Sequence, residues 1–165
     1  MTFIELGELC DKGTSNLAQK DLLIDSGRYP VYGAAGEITK VDFYQQSKPY
    51  LGLVKDGAGV GRVMRLPSNS SVIGTLQYIF PKENVDLKYL YYLIKYLDLG
   101  KSNTGATIPH IYFKDYKKRK VKVRSYSEQK YIGKIFELLD IQLNTYKNTL
   151  KQYDLLIKSR FVEMF

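Results

Sequence analysis

The feature that most constrains this 165-residue chain is a heptad stripe along its last forty residues. Apolar side chains recur there at alternating spacings of 4 and 3, the pattern of a helix that packs against another helix. The stripe consists of Ile132, Phe136, Leu139, Leu143, Tyr146, Leu150, Tyr153 and Ile157. A helix of roughly 35 residues is about 50 Å long, which is more than a small domain can cover. The sequence therefore predicts a projecting C-terminal helix that needs a partner helix.

The residues before this helix are predicted to form a mixed, β-rich body. Short β-branched or aromatic runs alternate with Gly, Pro, Asn and Ser, as is typical of short strands joined by turns. Asp86 is the predicted N-cap of a helix over 87–99 that ends at Gly100. Strands are predicted over 29–32, 37–41, 49–54, 61–66, 72–73, 75–80 and 120–124. The predicted fold class is therefore α+β, a twisted sheet with short helices followed by one long helix.

A capping box marks the boundary between the body and the long helix. Ser125 and Glu128 are three residues apart, so that each side chain can bind the backbone N–H of the other residue. This pattern predicts two domains, a body over 1–124 and a helical arm over 125–165.

Positive charge is concentrated in the second half of the chain. Residues 1–81 carry eight basic and eight acidic side chains, whereas residues 82–165 carry seventeen basic and nine acidic ones and account for the net charge of +8. The densest cluster consists of Lys117, Lys118, Arg119, Lys120 and Lys122. A localised cationic patch attracts polyanions, above all nucleic acid. The alternative is that these side chains only solvate one face of a strand and protect a sheet edge.

The sequence predicts neither catalytic residues nor metal ligands. In the glycine-rich segment Gly57–Gly61, Arg62 follows where a dinucleotide fingerprint needs its third glycine, and the Gly-Lys-Ser/Thr of a P-loop is missing. A hairpin between two strands is the better interpretation of this segment. His110 and Cys10 are the only histidine and cysteine, which is too few for a zinc site, and no serine triad can be assembled.

Two further groups of polar side chains are candidates for contact with DNA. The first lies on a loop rich in Ser, Asn, Thr and Gly, whose short side chains suit phosphate contact and the reading of base edges. It comprises Thr104, Thr107 and His110. The second group flanks the glycine hairpin and can present cations to a phosphate backbone. It comprises Lys55, Arg62 and Arg65. A plain surface loop is the alternative interpretation of the first group.

Several features predict a cytoplasmic location without membrane association. No segment approaches the roughly 18 consecutive apolar residues of a membrane-spanning helix. The first residues lack the basic start and apolar run of a secretory signal. The single cysteine, Cys10, cannot form an internal disulfide and fits a reducing compartment.

In their order along the chain, five motifs resemble one half of a type I restriction–modification specificity subunit. They are Arg28–Gly36, Lys55–Gly61, the helix led by Asp86, Gly105–Ile111, and Ser127–Ile132 at the start of the long helix. Their order is more specific than any one motif. Full-length members of this family hold two target-recognition domains and two long helices that pair as an antiparallel coiled coil. The present sequence has one of each, and Ser125 stands where a proline is usual.

The resemblance implies a non-catalytic, half-length specificity subunit. Its residues 1–124 are then a target-recognition domain that reads one half of a split sequence in double-stranded DNA. Its helix pairs antiparallel with that of a second copy and docks adenine methyltransferase subunits, which bring S-adenosylmethionine as cofactor. A restriction subunit can join this complex. A symmetric homodimer of this kind is expected to recognise an interrupted palindrome.

Two other classes of function stay open at this point. One is an autonomous dimeric DNA-binding regulator that uses the coiled coil as its dimer interface. No helix–turn–helix or basic-zipper pattern supports it, because the basic run is predicted to be a strand. The other is a structural adaptor that does not bind DNA.

Overall fold

The computed structural model describes residues 3–22, 27–102 and 108–164. Within these ranges the strands are β1 (Phe3–Glu5), β2 (Cys10–Thr14), β3 (Tyr29–Gly33), β4 (Gly36–Val41), β5 (Tyr50–Val54), β6 (Val63–Leu66), β7 (Ser71–Val72), β8 (Leu76–Pro81) and β9 (Lys120–Lys122). The α-helices are α1 (Leu87–Leu97), α2 (Phe113–Tyr116) and α3 (Tyr126–Met164). Short 3-10 turns cover Leu6–Glu8, Gln19–Asp21 and Leu99–Ser102.

The centre of the body is β5, an inner strand of an antiparallel sheet in the order β2-β8-β5-β6. All five of its residues are buried. Because side chains alternate along a strand, Leu51 and Leu53 join an apolar cluster that includes the buried face of α1. Tyr50 and Val54 point to the other side and join a second cluster with the sheet β4-β3-β7. One strand thus holds two layers of core together.

Most of the predicted strands are confirmed, and the glycine segment is the predicted hairpin turn between β5 and β6. The end predicted for the first helix is wrong. Asp98 adopts the left-handed conformation, with φ 46° and ψ 59°, and ends α1 two residues early. Aspartate tolerates this conformation better than most residues. Gly100 instead lies in the 3-10 turn that follows.

The predicted strand over 120–124 is shorter than expected. Only Lys120–Lys122 pairs, antiparallel to β1, a strand that the sequence pattern did not predict. Val121 is buried in the core, whereas Val123 is 40% exposed because the pairing has ended before it. The pairing of β1 with β9 joins the N-terminal residues to the segment that leads into α3.

The capping box is confirmed. The backbone N–H of Ser125 donates to the Glu128 carboxylate (2.9 Å), and the N–H of Glu128 donates to Oγ of Ser125 (3.4 Å). The Ser125 N–H and the Ser125 hydroxyl (2.8 Å) both donate to the Glu128 carboxylate, and these two bonds hold the pKa of Glu128 below its usual value. The helix that follows, α3, has 39 residues and is therefore about 58 Å long.

Only the first four turns of α3 lie against the body. From Ile141 to Met164 every residue is exposed except Thr149, which is half-buried. The long helix therefore projects, as predicted. The division into separate domains at residues 124 and 125 stays a prediction, because the start of α3 packs directly on α1.

Candidate nucleic-acid interface

Three of the five sequence motifs meet at the turn between β5 and β6. The three glycines of this turn have φ between +80° and +93°, a region that is open to glycine and strained for other residues. The N–H of Gly57 donates to the carbonyl of Pro109 (3.0 Å), and the N–H of Ile111 donates to that of Lys55 (3.0 Å). The end of the motif Gly105–Ile111 is thereby fixed beside the turn.

Arg62 connects the same turn to the turn between β3 and β4, which belongs to the first motif. Its Nη1 donates to the carbonyl of Ala34 (2.8 Å), and its guanidinium lies close to Gly59. A guanidinium carries five N–H donors. The contact with Ala34 therefore leaves donors of Arg62 for a phosphate group.

His110 and Lys55, two predicted DNA contacts, share a partner. The Nδ1 atom of His110 contacts the Asp56 carboxylate, and Nζ of Lys55 lies 3.5 Å from the same carboxylate. The His110 ring also packs on Tyr112, with ring centroids 4.0 Å apart. Asp56 therefore keeps both side chains at one end of the glycine turn. Thr104 and Thr107 lie outside the described residues.

The basic segment, residues 117–122, is anchored to the body by its backbone, while most of its cationic side chains are exposed. The carbonyls of Lys117 and Arg119 accept hydrogen bonds from the N–H groups of Gly7 and Leu6, both at 2.9 Å. The four side chains from residue 117 to residue 120 are exposed, and that of Lys122 is half-buried. The cations are thus held on an ordered support.

Arg119 brings this basic segment next to the glycine turn. Its Nη2 contacts the hydroxyl of Ser102, at the end of the 3-10 turn that follows α1. Gly100, in the same 3-10 turn, packs so closely on Gly61 that a Cβ added to Gly61 would stand 2.2 Å from the backbone nitrogen of Gly100. The glycine turn, the 3-10 turn and the basic segment therefore form one continuous surface.

Arg65 lies elsewhere, at the joint between the body and α3. Its Nη1 donates to Oε1 of Glu137 (2.6 Å), and Nζ of Lys88 donates to Oε2 of the same carboxylate (2.5 Å). These two bonds hold the pKa of Glu137 below its usual value. The Arg65 guanidinium also lies 5.3 Å from the centre of the Tyr91 ring. Contact of Arg65 with DNA stays a prediction, while its role in this structure is at the joint.

The joint contains further residues that the sequence analysis did not single out. The buried amide of Gln129 accepts from the N–H of Asp86 (3.0 Å) and donates to the carbonyl of Arg124 (3.0 Å). The hydroxyl of Tyr92 donates to Asp140 (2.9 Å), and burial together with this carboxylate raises the pKa of Tyr92.

These joint residues follow a second stripe on α3 beside the heptad seam. The second stripe has spacings of 4, 4 and 3 and consists of Gln129, Gly133, Glu137 and Asp140. This spacing is the sequence signal that could have revealed the joint. At Gly133 an added Cβ would stand 3.0 Å from Oδ1 of Asp86, Cβ of Lys88 and the nitrogen of Tyr89.

The geometry can be compared with known proteins. A profile of the family described as "Type I restriction modification DNA specificity domain" matches residues 1–152. The chain belongs to this family. The resemblance inferred from the five motifs is thereby confirmed. No curated protein matches the chain significantly.

Solved structures share the fold at low sequence identity. The S subunit of a type I restriction–modification system from M. genitalium is 24% identical, with a TM-score of 0.72, and the match covers 94% of this chain and 43% of that one. A chain from a study of complex assembly and conformational transition of the type I R-M system is 19% identical, with a TM-score of 0.71, and the match covers 90% of this chain and 40% of that one. The HsdS subunit from Thermoanaerobacter tengcongensis is 18% identical, with a TM-score of 0.67, and the match covers 90% of this chain and 39% of that one. The chain thus spans less than half the length of each match.

Two other kinds of feature are absent from the described residues. Among the described residues, no group of three or more His, Cys, Asp or Glu side chains is arranged to hold a metal ion. Over the same ranges, no helix is both long and apolar enough to span a bilayer.

We predict that Gly133→Leu loosens the joint. The larger side chain cannot fit against the first turn of α1 without displacing α3, so we expect the free energy of unfolding to fall by about 1–3 kcal/mol, measured by urea denaturation. Thr145→Leu, on the exposed part of α3, is the matched control and should change stability by less than about 0.5 kcal/mol. Equal stability of the two variants would show that close approach at Gly133 is unimportant.

Proposed function

We propose that this chain is a non-catalytic DNA-specificity subunit of a type I restriction–modification complex. Its body reads one half of a bipartite DNA site, and α3 pairs with a second copy. The observation that carries the proposal is the continuous surface on which the glycine turn, the end of the motif Gly105–Ile111 and the exposed basic segment meet. Family membership supports it, because the matching profile is that of a DNA specificity domain.

The proposed DNA surface combines a positioning part and a reading part. The positioning part consists of Lys117, Lys118, Arg119, Lys120 and Lys122. Such cations neutralise phosphates without reading sequence. The reading part includes His110, which lies beside the glycine turn. Thr104 and Thr107 belong to the same sequence motif and are candidates for base edges on the sequence alone. Lys55 and Arg62 flank this part and supply a second backbone contact.

Pairing of two copies is proposed from the exposure of the heptad seam. From Phe136 to Ile157 each seam residue is 45–67% exposed, although burying one such side chain is worth about 1.5–3 kcal/mol. A second α3 is the simplest cover for a stripe of this spacing. We propose an antiparallel coiled coil, because it places the two bodies at opposite ends of the rod, several nanometres apart, where they can reach successive major grooves.

The chemistry of the proposed complex comes from partners. Adenine methyltransferase subunits dock on the paired helices and bind S-adenosylmethionine, and a restriction subunit can join to cleave unmodified DNA. We place the complex in the cytoplasm. The present chain supplies recognition and spacing only.

We predict that Leu143→Lys abolishes the homodimer and weakens DNA binding without unfolding the body. A buried lysine opposite an apolar seam leaves an unpaired charge, whereas residue 143 makes no contribution to the core of the body. Light scattering should report a monomer with wild-type thermal unfolding of the body. Thr145→Lys introduces the same charge outside the seam and should stay dimeric. If the Leu143→Lys variant remains dimeric, the seam is wrongly assigned.

We predict that replacing Lys118 and Arg119 by alanine flattens the salt dependence of DNA binding. Each lost phosphate contact lowers the slope of log K against log salt by about 0.9, so the double variant should lose about 1–2 from the slope. Replacing Lys130 and Lys134 by glutamine removes the same charge from α3 and serves as the control. An unchanged slope in the first variant would remove the basic segment from the interface.

The proposal as a whole is tested by reconstitution with an adenine methyltransferase subunit. We expect the two proteins to co-purify and, with S-adenosylmethionine, to methylate a subset of DNA sequences selected as interrupted palindromes. Specific DNA binding without any association with the methyltransferase would favour an autonomous regulator instead. Failure to bind DNA in both conditions would leave the structural adaptor as the better interpretation.

A further inference from the structure

A groove with a volume of about 450 Å³ lies open between α1 and α3. Its walls are mainly apolar or aromatic, with Lys95 and Asp140 as its charged residues. The apolar and aromatic lining consists of Tyr89, Tyr92, Leu93, Tyr96, Ile132 and Phe136. Tyr96 is 84% exposed and Phe136 is 47% exposed. Because Ile132 and Phe136 also belong to the heptad seam, the groove is a continuation of that seam onto the body.

We propose that α3 of a second copy fills this groove, so that each body grips the far half of the other copy's helix. The inference rests on the proposed homodimer and goes beyond it, because it assigns part of the interface to α1. The two copies then meet as helix against helix and also as helix against body.

The spacing of the seam fixes the register of the pair. An antiparallel arrangement that uses all eight seam residues centres between Leu143 and Tyr146. It pairs Ile132 with Ile157, Phe136 with Tyr153, Leu139 with Leu150, and Leu143 with Tyr146. A shift by one heptad in either direction leaves two seam residues of each copy unpaired. Burial of apolar area therefore favours the centred register.

The positions that flank the seam agree with this register. Residues that flank the seam of an antiparallel coiled coil contact each other diagonally across it, so Ile135 approaches Leu156 of the second copy, and both are exposed in the single chain. Asp140 approaches Lys147 in the same diagonal way, so the charges are complementary. One pair, Glu128 with Glu163, is of like charge.

Each of these two glutamates already has a cation of its own. Nη1 of Arg124 is 3.8 Å from Glu128, and Nη1 of Arg160 is 2.7 Å from Glu163. The like-charge pair is therefore compensated within each chain, and the register keeps more favourable pairs than unfavourable ones.

This register places the far half of the partner helix in the groove. The contacts of Gln129 with Asp86 and of Asp140 with Tyr92 show that α1 and α3 run in the same direction. The groove thus lies at the level of α3 residues 132–140, which face residues 149–157 of the second copy. Leu150, Tyr153 and Ile157 of that copy supply the apolar side chains that cover it.

A second copy suits the groove better than a small apolar ligand does. The volume alone falls within the range of ligand pockets. However, the groove offers few polar groups to orient a ligand, because the Tyr92 hydroxyl already donates to Asp140 and Nζ of Lys95 lies 3.6 Å from the same carboxylate. A ligand would also leave the adjoining seam exposed to water, whereas a helix covers both at once.

The first test compares two exposed tyrosines. Tyr96→Glu places a charge in the groove, whereas Tyr131→Glu places the same charge on α3 outside the seam, where Tyr131 is 68% exposed. We expect the dimer dissociation constant to rise at least about tenfold for Tyr96→Glu and to stay unchanged for Tyr131→Glu, measured by sedimentation over a concentration series. Circular dichroism checks that both variants keep their helix content.

The second test is covalent and does not depend on a loss of binding. The double variant Leu93→Cys with Asp154→Cys is treated with a short bismaleimide cross-linker. Asp154 lies fourteen residues beyond Asp140 and hence about 21 Å further along α3, so a link between the two positions must join two chains. We expect covalent dimers. In the control, Leu93→Cys with Gln152→Cys, the second thiol faces away from the seam and should give few.

The outcomes separate this inference from the proposed function. A wild-type protein that is monomeric would overturn both. Three results together would overturn the inference alone. Leu143→Lys breaks the dimer, Tyr96→Glu and Tyr131→Glu give equal dimer dissociation constants, and the variant with Leu93→Cys and Asp154→Cys gives no cross-link. In that case the seam pairs and the groove is not part of the interface.

Discussion

The direction of the projecting helix depends on the contact between α1 and the first four turns of α3. Gly133 allows the two helices to approach closely, since an added Cβ would press on the first turn of α1. The buried amide of Gln129 binds backbone groups on both sides of the joint. Such directional bonds in a buried site fix an orientation in a way that apolar contact alone does not. Whatever α3 engages is therefore held at a defined angle to the body.

The surface proposed for DNA is built on a fully buried strand of the body. The glycine turn joins β5 to β6, and β5 is buried on both faces between the two apolar clusters. Loops on a rigid support are the usual place for recognition, because their side chains can vary while their position stays fixed. The 3-10 turn after α1 extends this surface towards the basic segment, and the pairing of β1 with β9 holds that segment in place.

Two surfaces of the described chain are exposed, and they differ in physical character. The basic segment is a concentration of positive charge, which a polyanion neutralises. The seam and the groove are apolar, and burying them removes apolar surface from water. Tyr146 and Tyr153 pack less well in a seam than leucine does, so the helix pair by itself is expected to be of moderate strength. The proposed contacts with α1 would add apolar area beside Tyr153 of the second copy.

The sequence by itself determined the local features of this protein. The heptad spacing, the capping box at Ser125 and Glu128, the N-cap at Asp86 and the glycine hairpin all depend on residues within a few positions of each other, and the structure has each of them. The order of the five motifs was sufficient to indicate the family. Local signals are readable because they depend on backbone conformation and on the period of a helix or a strand.

The tertiary structure alone decided which distant residues meet. Arg65 is separated from Glu137 by 72 positions, and the sequence could not reveal this ion pair, because only the charge of Arg65 and its nearest neighbours were visible. The pairing of β1 with β9 and the groove beside α1 were likewise hidden, because no local pattern specifies the partner of a three-residue strand or the neighbour of a helix face. The packing of the whole chain decides such contacts, because a contact buries apolar surface only when both of its elements are already in position.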